Sequence, residues 1–321
     1  MPLIKDEYRA PLWVRNGHIN SIYPYFFRKP SLPPYERQRW ETPDGDFIDV
    51  DQLLQGSETL VILSHGLEGS STSQYIISAS QLFASHGWDV LAMNHRSCSG
   101  EINRSSQMYH SGFTKDLAYI IDKKAKEYQH VLLLGYSLGG NMISKYLGDQ
   151  IYEVPENILA GIGVSVPTHL ASGAKELGLL KNKIFTYGFL RTLIPKALEK
   201  ASQFPELLDS ERIKKIKTLV EFDDVVTGPL HGFENAMDYY EQCSSVYHLE
   251  NIVKPLLMIN ALDDPFLGKA CFPSDIAQAS HLFHLNTTKF GGHVGFHSNS
   301  TFYYPELKAL DFANQLLKRM C

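Results

Sequence analysis

Short apolar runs recur along the chain at 59–64 (TLVILS), 88–94, 131–134, 158–164, 255–260 and 282–285. Each has the length and unbroken apolarity of a strand buried on both faces. Between them the apolar positions switch to helical spacing, over 74–85, 113–127 and 306–318. The clearest case is 140–147, where Met142, Ile143, Tyr146 and Leu147 fall on one side and Gly148 supplies a stop. Strand, helix, strand in this succession predicts a mostly parallel sheet with helices on both faces. Residues 37–54 (RQRWETPDGDFIDVDQLL) instead alternate on either side of Pro43-Asp44-Gly45, which predicts an antiparallel hairpin at one sheet edge. Residues 1–34, rich in proline and aromatics, read as an irregular arm packed onto the domain.

The pattern breaks once. Residues 168–250 keep helical periodicity with no buried-strand run, so the expectation is one domain over 1–321 with a helical cap or lid inserted at 168–250. Within it, 175–217 is locally basic and carries apolar patches such as Ile184-Phe185 and Phe189-Leu190. Such alternation is ordinary on solvated helices, but it would also serve a transient membrane-surface contact through the cap.

Composition narrows the field. Of the 321 residues 44% are hydrophobic and 20% charged, and the net charge is −5 with no basic cluster. A surface built to hold phosphates needs clustered Lys and Arg, so nucleic acid is not the expected partner. The opening MPLIKDEYRAPLW has no signal-peptide form, and no apolar run nears the roughly 20 residues of a spanning helix. Cys98, Cys243, Cys271 and Cys321 are scattered, which reads as free thiols in a reducing compartment, by default the cytoplasm.

Candidate chemistry centres on Gly135-Tyr136-Ser137-Leu138-Gly139, a G-x-S-x-G sequence between an expected strand and helix. A serine hydroxyl becomes a useful nucleophile when a sharp turn holds it beside a base. Such a turn crowds its flanks, which the two glycines accommodate, and it leaves the Leu138 N–H free for an oxyanion. His65-Gly66-Leu67, after the neighbouring strand, would aim a second N–H, that of Leu67, at the same place, with His65 bracing the loop. A base and an orienting carboxylate must come from elsewhere. His293, in the glycine-rich loop Gly291-Gly292-His293-Val294-Gly295-Phe296, fits the base better than His281, His284 or His297. Asp263 and Asp264 both follow the strand at 255–260, and local physics does not rank them: one is expected to face the imidazole, the other to hold the loop. A zinc site from the downstream histidines is disfavoured by loose spacing, and the Gly66 to Gly69 loop lacks the lysine of a phosphate loop.

HGLEGSS (65–71), NHRSCSGEINR (94–104), GYSLGGN (135–141), EFDDVVTGPLHGFENAMDYY (221–240), NALDDPF (260–266) and GGHVGF together resemble the YheT-type hydrolases. These are bacterial relatives of a eukaryotic ABHD lipase branch and of yeast medium-chain ester enzymes, and the resemblance runs from about residue 10 onward. It implies an α/β-hydrolase fold with an eight-stranded, mostly parallel sheet and a helical cap. It also implies a triad of Ser137, Asp264 and His293, the acid standing directly before Pro265-Phe266. The loop His95-Arg96-Ser97-Cys98, which the resemblance places near the site entrance, departs from the Arg-Gly usual in relatives, so their substrate preference is not carried over.

The expectation is therefore a serine hydrolase acting on short- to medium-chain or lipid-like carboxylic esters through an acyl-enzyme on Ser137, with no cofactor. The rival readings are an acyltransferase that passes the acyl group to an alcohol, and a non-catalytic ligand cradle.

Overall fold

The computed structural model describes residues 3–320, which leaves Cys321 outside the described residues. Nine strands form one sheet: Leu3–Ile4 (β1), Glu36–Glu41 (β2), Phe47–Leu53 (β3), Thr59–Ser64 (β4), Asp89–Met93 (β5), His130–Tyr136 (β6), Ile158–Val164 (β7), Leu256–Ala261 (β8) and Phe283–Thr288 (β9). Their order is β1-β9-β8-β7-β6-β4-β5-β3-β2. The six strands β4 to β9 run parallel, as does β1 on β9; only β2 on β3 and β3 on β5 are antiparallel.

Alternation along these strands divides the core into two layers. Leu60, Ile62, Val131 and Leu133 face one cluster, into which pack helices α3 (Thr114–Lys124) and α4 (Leu138–Gly148). Val61, Leu63, Leu132 and Leu134 face the other, filled by α2 (Gln74–Ser85) and the final helix Tyr304–Met320. Both faces of the central strands are thus dry, which is why they read as continuous apolar runs.

Two expectations need correction. The sheet has nine strands rather than eight, because the two-residue β1 pairs Leu3 with Leu285 and is too short to show any periodicity. The arm at 1–34 is not irregular: it carries helix α1 (Gly17–Phe27), whose first N–H groups, from His18 and Ile19, are capped by the Asn16 side chain. Strand β9 also extends past 282–285 into Asn286, Thr287 and Thr288. Asn286 is polar yet buried, because its amide reaches the carbonyls of Ile4 and Lys5 and its oxygen accepts from Tyr304.

Residues 168–250, between β7 and β8, contain helices joined by short loops and no strand among the described residues, led by α5 (Leu170–Leu177) and the long α6 (Lys183–Gln203). This segment has its own apolar cluster, with Leu193, Ala197, Ile213, Phe222 and Val226 packed around Met108 of the main body. No helix among the described residues is long and apolar enough to cross a membrane.

Candidate active site

Strand β6 ends at Tyr136 and α4 begins at Leu138, so one residue makes the whole reversal. Ser137 makes it with φ 53° and ψ −118°, a left-handed conformation uncommon for a side chain larger than glycine. The crowding expected around it is real. A Cβ on Gly135 would lie 2.4 Å from the Gly139 carbonyl, and one on Gly139 would lie 2.5 Å from the Ser64 carbonyl oxygen. The bend lifts the hydroxyl above the carboxyl edge of the sheet, where ligands collect in open α/β folds.

Two loops from that same edge meet the hydroxyl. Ser137 Oγ donates to His293 Nε2 at 2.8 Å. On the far side of the ring, His293 Nδ1 donates to Asp264 Oδ2 at 2.9 Å and Oδ1 at 3.1 Å. Asp263 points elsewhere: its Oδ1 accepts the Gly292 N–H at 2.9 Å, tying the acid loop to the histidine loop, and burial pushes its carboxyl above the ordinary range. The division of labour between the adjoining aspartates, open in the sequence, is thus visible as geometry. Phe266 stacks flat on the imidazole, ring centroids 4.0 Å apart, and is itself wedged by Phe185 and Phe189 of α6.

The loop after β4 is held from three directions. Tyr75 accepts the Gly66 N–H, Tyr109 accepts the Glu68 N–H, and Lys196 of α6 pairs with Glu68 at 2.9 Å. Between these anchors the Leu67 N–H finds no acceptor among the described residues, and neither does the Leu138 N–H at the start of α4. Fixed N–H groups of this kind, one at a helix N-terminus, suit a developing negative charge. His65 is fully buried and stands apart from the Ser137 row. Its Nδ1 donates to the Gly66 carbonyl and its Nε2 accepts from the His95 N–H, and burial holds it well below the ordinary imidazole range, hence neutral.

The other histidines at the chain's end lie away from the row. His297 bonds Tyr303, His284 packs on Phe312 within the β9 layer, and His281 is exposed. The loop at 95–98, expected near the site entrance, turns its arginine inward. Arg96 is fully buried and ion-paired with Asp116 at 2.8 Å and Asp46 at 3.1 Å, so it braces the hairpin and does not line the cavity at Ser137.

Above Ser137 opens a cavity of about 990 Å³, counting its mouth. Much of its wall is apolar, from Leu67, Leu138, Phe189, Leu193, Phe222 and Phe266. It also contains polar groups that were not singled out as site residues, namely Asp223, His231, His110 and Tyr239. The stretch 221–240 that carries most of them attracted notice only for its resemblance to relatives.

A single α/β chain with this bend, this row and this sheet order defines a class. The family model described as the alpha/beta hydrolase fold matches residues 59–279, and the chain belongs to that family. Within it the chain groups with YheT of Escherichia coli (strain K12), to which it is 34% identical over 91% of this chain and 87% of that one. Phospholipase ABHD3 of Homo sapiens is 27% identical over 92% of this chain and 75% of its own. Monoacylglycerol lipase of Saccharomyces cerevisiae is 26% identical over 88% of this chain and 60% of its own. Among solved structures, esterase Pf2001 of Pyrococcus furiosus superposes with a TM-score of 0.57 at 16% identity, covering 91% of this chain and 94% of that one, which shows the fold.

Proposed function

We propose that the protein is a serine esterase that cleaves carboxylic esters through an acyl-enzyme on Ser137. The observation that carries this reading is the unbroken row Ser137, His293, Asp264 above one tight bend. In the reaction His293 Nε2 takes the hydroxyl proton as Ser137 Oγ attacks the ester carbonyl. The Leu67 and Leu138 N–H groups receive the oxyanion, each donor of this kind contributing about 3 kcal/mol to the barrier reduction. Asp264 stabilises the imidazolium and fixes its tautomer, while Phe266 holds the ring plane. The imidazolium then protonates the leaving alkoxide, and the same base activates the water that releases the acid. Relatives that are lipases or phospholipases support ester substrates, and the apolar wall suits a short- to medium-chain acyl group.

Two further features fit this role. Cys98, Cys243 and Cys271 are free thiols, in keeping with a cytoplasmic setting. Leu180, Ile184 and Tyr187 are exposed on the insertion beside Lys181 and Lys183, which supports a transient contact of this end with a membrane surface. The deciding experiment is labelling by a fluorophosphonate probe alongside hydrolysis of an ester series. Wild type should label and turn over, and Ser137→Ala should do neither, its kcat falling by about 10⁴ or more. Turnover that survives in that variant refutes the mechanism.

A further inference from the structure

The wall of the cavity contributed by residues 223–240 is costly as built. Asp223 lies deep in the molecule yet turns part of its surface to the cavity. Its Oδ1 accepts the Thr227 hydroxyl at 2.7 Å and its Oδ2 the Tyr240 hydroxyl at 2.6 Å. No lysine or arginine lines this cavity among the described residues, so the carboxylate faces it without a counter-charge. Burial accordingly pushes its pKa up to about 6. A buried carboxylate without a cation is expensive, and an asparagine would fill the same volume without burying a charge.

On the same cavity wall His231 makes no hydrogen bond with any described residue: its Nδ1 is sealed off without a partner, which leaves Nε2 as the ring nitrogen open to a ligand. The ring sits in an aromatic nest, edge-on to His110 at 4.5 Å and to Phe113 at 5.5 Å. A phenylalanine would pack there with no polar atom left over. His110 has its Nδ1 occupied by the Gly112 N–H, which leaves its proton on Nε2. Both imidazoles are held neutral by burial. Orphaned polar groups in a native interior call for a partner that protein alone does not supply.

We infer that this wall is a hydroxyl-binding subsite of the same cavity, in which Asp223 accepts from, and His231 Nε2 bonds to, an uncharged hydroxyl-bearing part of the ester. The inference rests on the esterase reading and deepens it. A neutral hydroxyl can donate to the carboxylate and exchange a bond with a neutral imidazole. An anionic phosphate would meet a carboxylate and no cation, so phosphate-bearing esters should be excluded. The hydroxyl can belong to the alcohol or to the acyl chain, and the geometry at the wall is the same for both.

The test uses the purified full chain and matched esters. One pair is a glycerol monoester and the propyl ester of the same acid; the other is the propyl esters of an acid with and without a terminal hydroxyl. A glycerol-phosphate ester of the same acid completes the series. Ratios of kcat/KM within each pair are measured for wild type, His231→Phe and Asp223→Asn, so that a loss of folded protein cancels. Wild type should favour the hydroxylated member of one pair at least tenfold, and that ratio should fall at least fivefold in both variants. The pair that responds identifies the side of the ester the wall holds. The phosphate ester should be at least tenfold poorer than the glycerol ester. Wild-type ratios near one in both pairs, a preference that both variants retain, or full activity on the phosphate ester would overturn the subsite alone. If one variant does not fold, the other decides. Wild type that cleaves none of these esters removes the esterase reading, and the subsite with it.

Discussion

The two ends of the cavity are built on opposite terms. At the sheet end each donor in the row has an acceptor: Ser137 gives to His293, His293 to Asp264, and the loops behind them are pinned by Asp263 and Tyr75. At the insertion end, among the described residues, Asp223 has no cation along the cavity and His231 makes no hydrogen bond. The Ser137, His293, Asp264 row is complete by itself, with the unpaired Leu67 and Leu138 N–H groups beside it. The second end would gain its missing partner from the hydroxyl inferred above. The row hangs from the ends of β6, β8 and β9, whereas the polar wall belongs to a helical segment with its own small core.

The sheet end should break most sharply at the adjoining aspartates. Asp264→Asn should lower kcat by about 10³ to 10⁴, since the imidazole loses both its tautomer and its partner. Asp263→Asn should cost less than about tenfold, because an amide oxygen still accepts the Gly292 N–H. Equal losses in steady-state assays would mean that the two roles are not divided as the distances divide them. Next in size, Gly135→Ala should destabilise the fold by about 3 kcal/mol in urea titration, as its methyl has nowhere to go against Gly139. An unchanged midpoint would show that the bend relaxes freely.

At the insertion end the matching test is one of pH. Asp223 has a folded pKa of about 6, raised from the ordinary carboxyl value by burial, so the folded chain holds a proton that the unfolded chain has already released in between. Wild-type stability should therefore fall relative to Asp223→Asn as pH rises from about 4 to 6 and stay level above, by roughly 2 kcal/mol once cavity water is allowed for. Parallel curves for the two proteins would mean that the carboxylate is well solvated. Smallest of all, Ile184→Glu should weaken co-sedimentation with anionic vesicles by a few fold, and identical binding would place any lipid contact elsewhere.

Much of this contrast could be read along the chain, and unevenly. The bend at Ser137 was legible because strand, elbow and helix are contiguous and sterics dictate small residues two positions to either side. The histidine loop was legible from its glycines and its place after the last apolar run. The choice between Asp263 and Asp264 was not, since both occupy one loop and only the fold decides which oxygen faces the ring. Helix α1 was hidden by its aromatic composition, although Asn16 before Gly17 is a helix start in plain view. The polar wall was the hardest to see. His231 and Asp223 belong to a run of ordinary helical spacing, and their cost appears only when the surrounding side chains keep water from both and leave the carboxylate without a cation and the imidazole without a hydrogen bond among the described residues.

The contact between α1 and the histidine loop has a consequence for synthesis. The backbone N–H of His293 is held by the hydroxyl of Ser21, 272 positions earlier, and the His297 N–H by Asn20. A ribosome delivers Ser21 272 positions before His293, so the clamp can close only after β2 to β9 have all been synthesised. A growing chain that has not reached residue 293 thus holds Ser137 with no imidazole beside it.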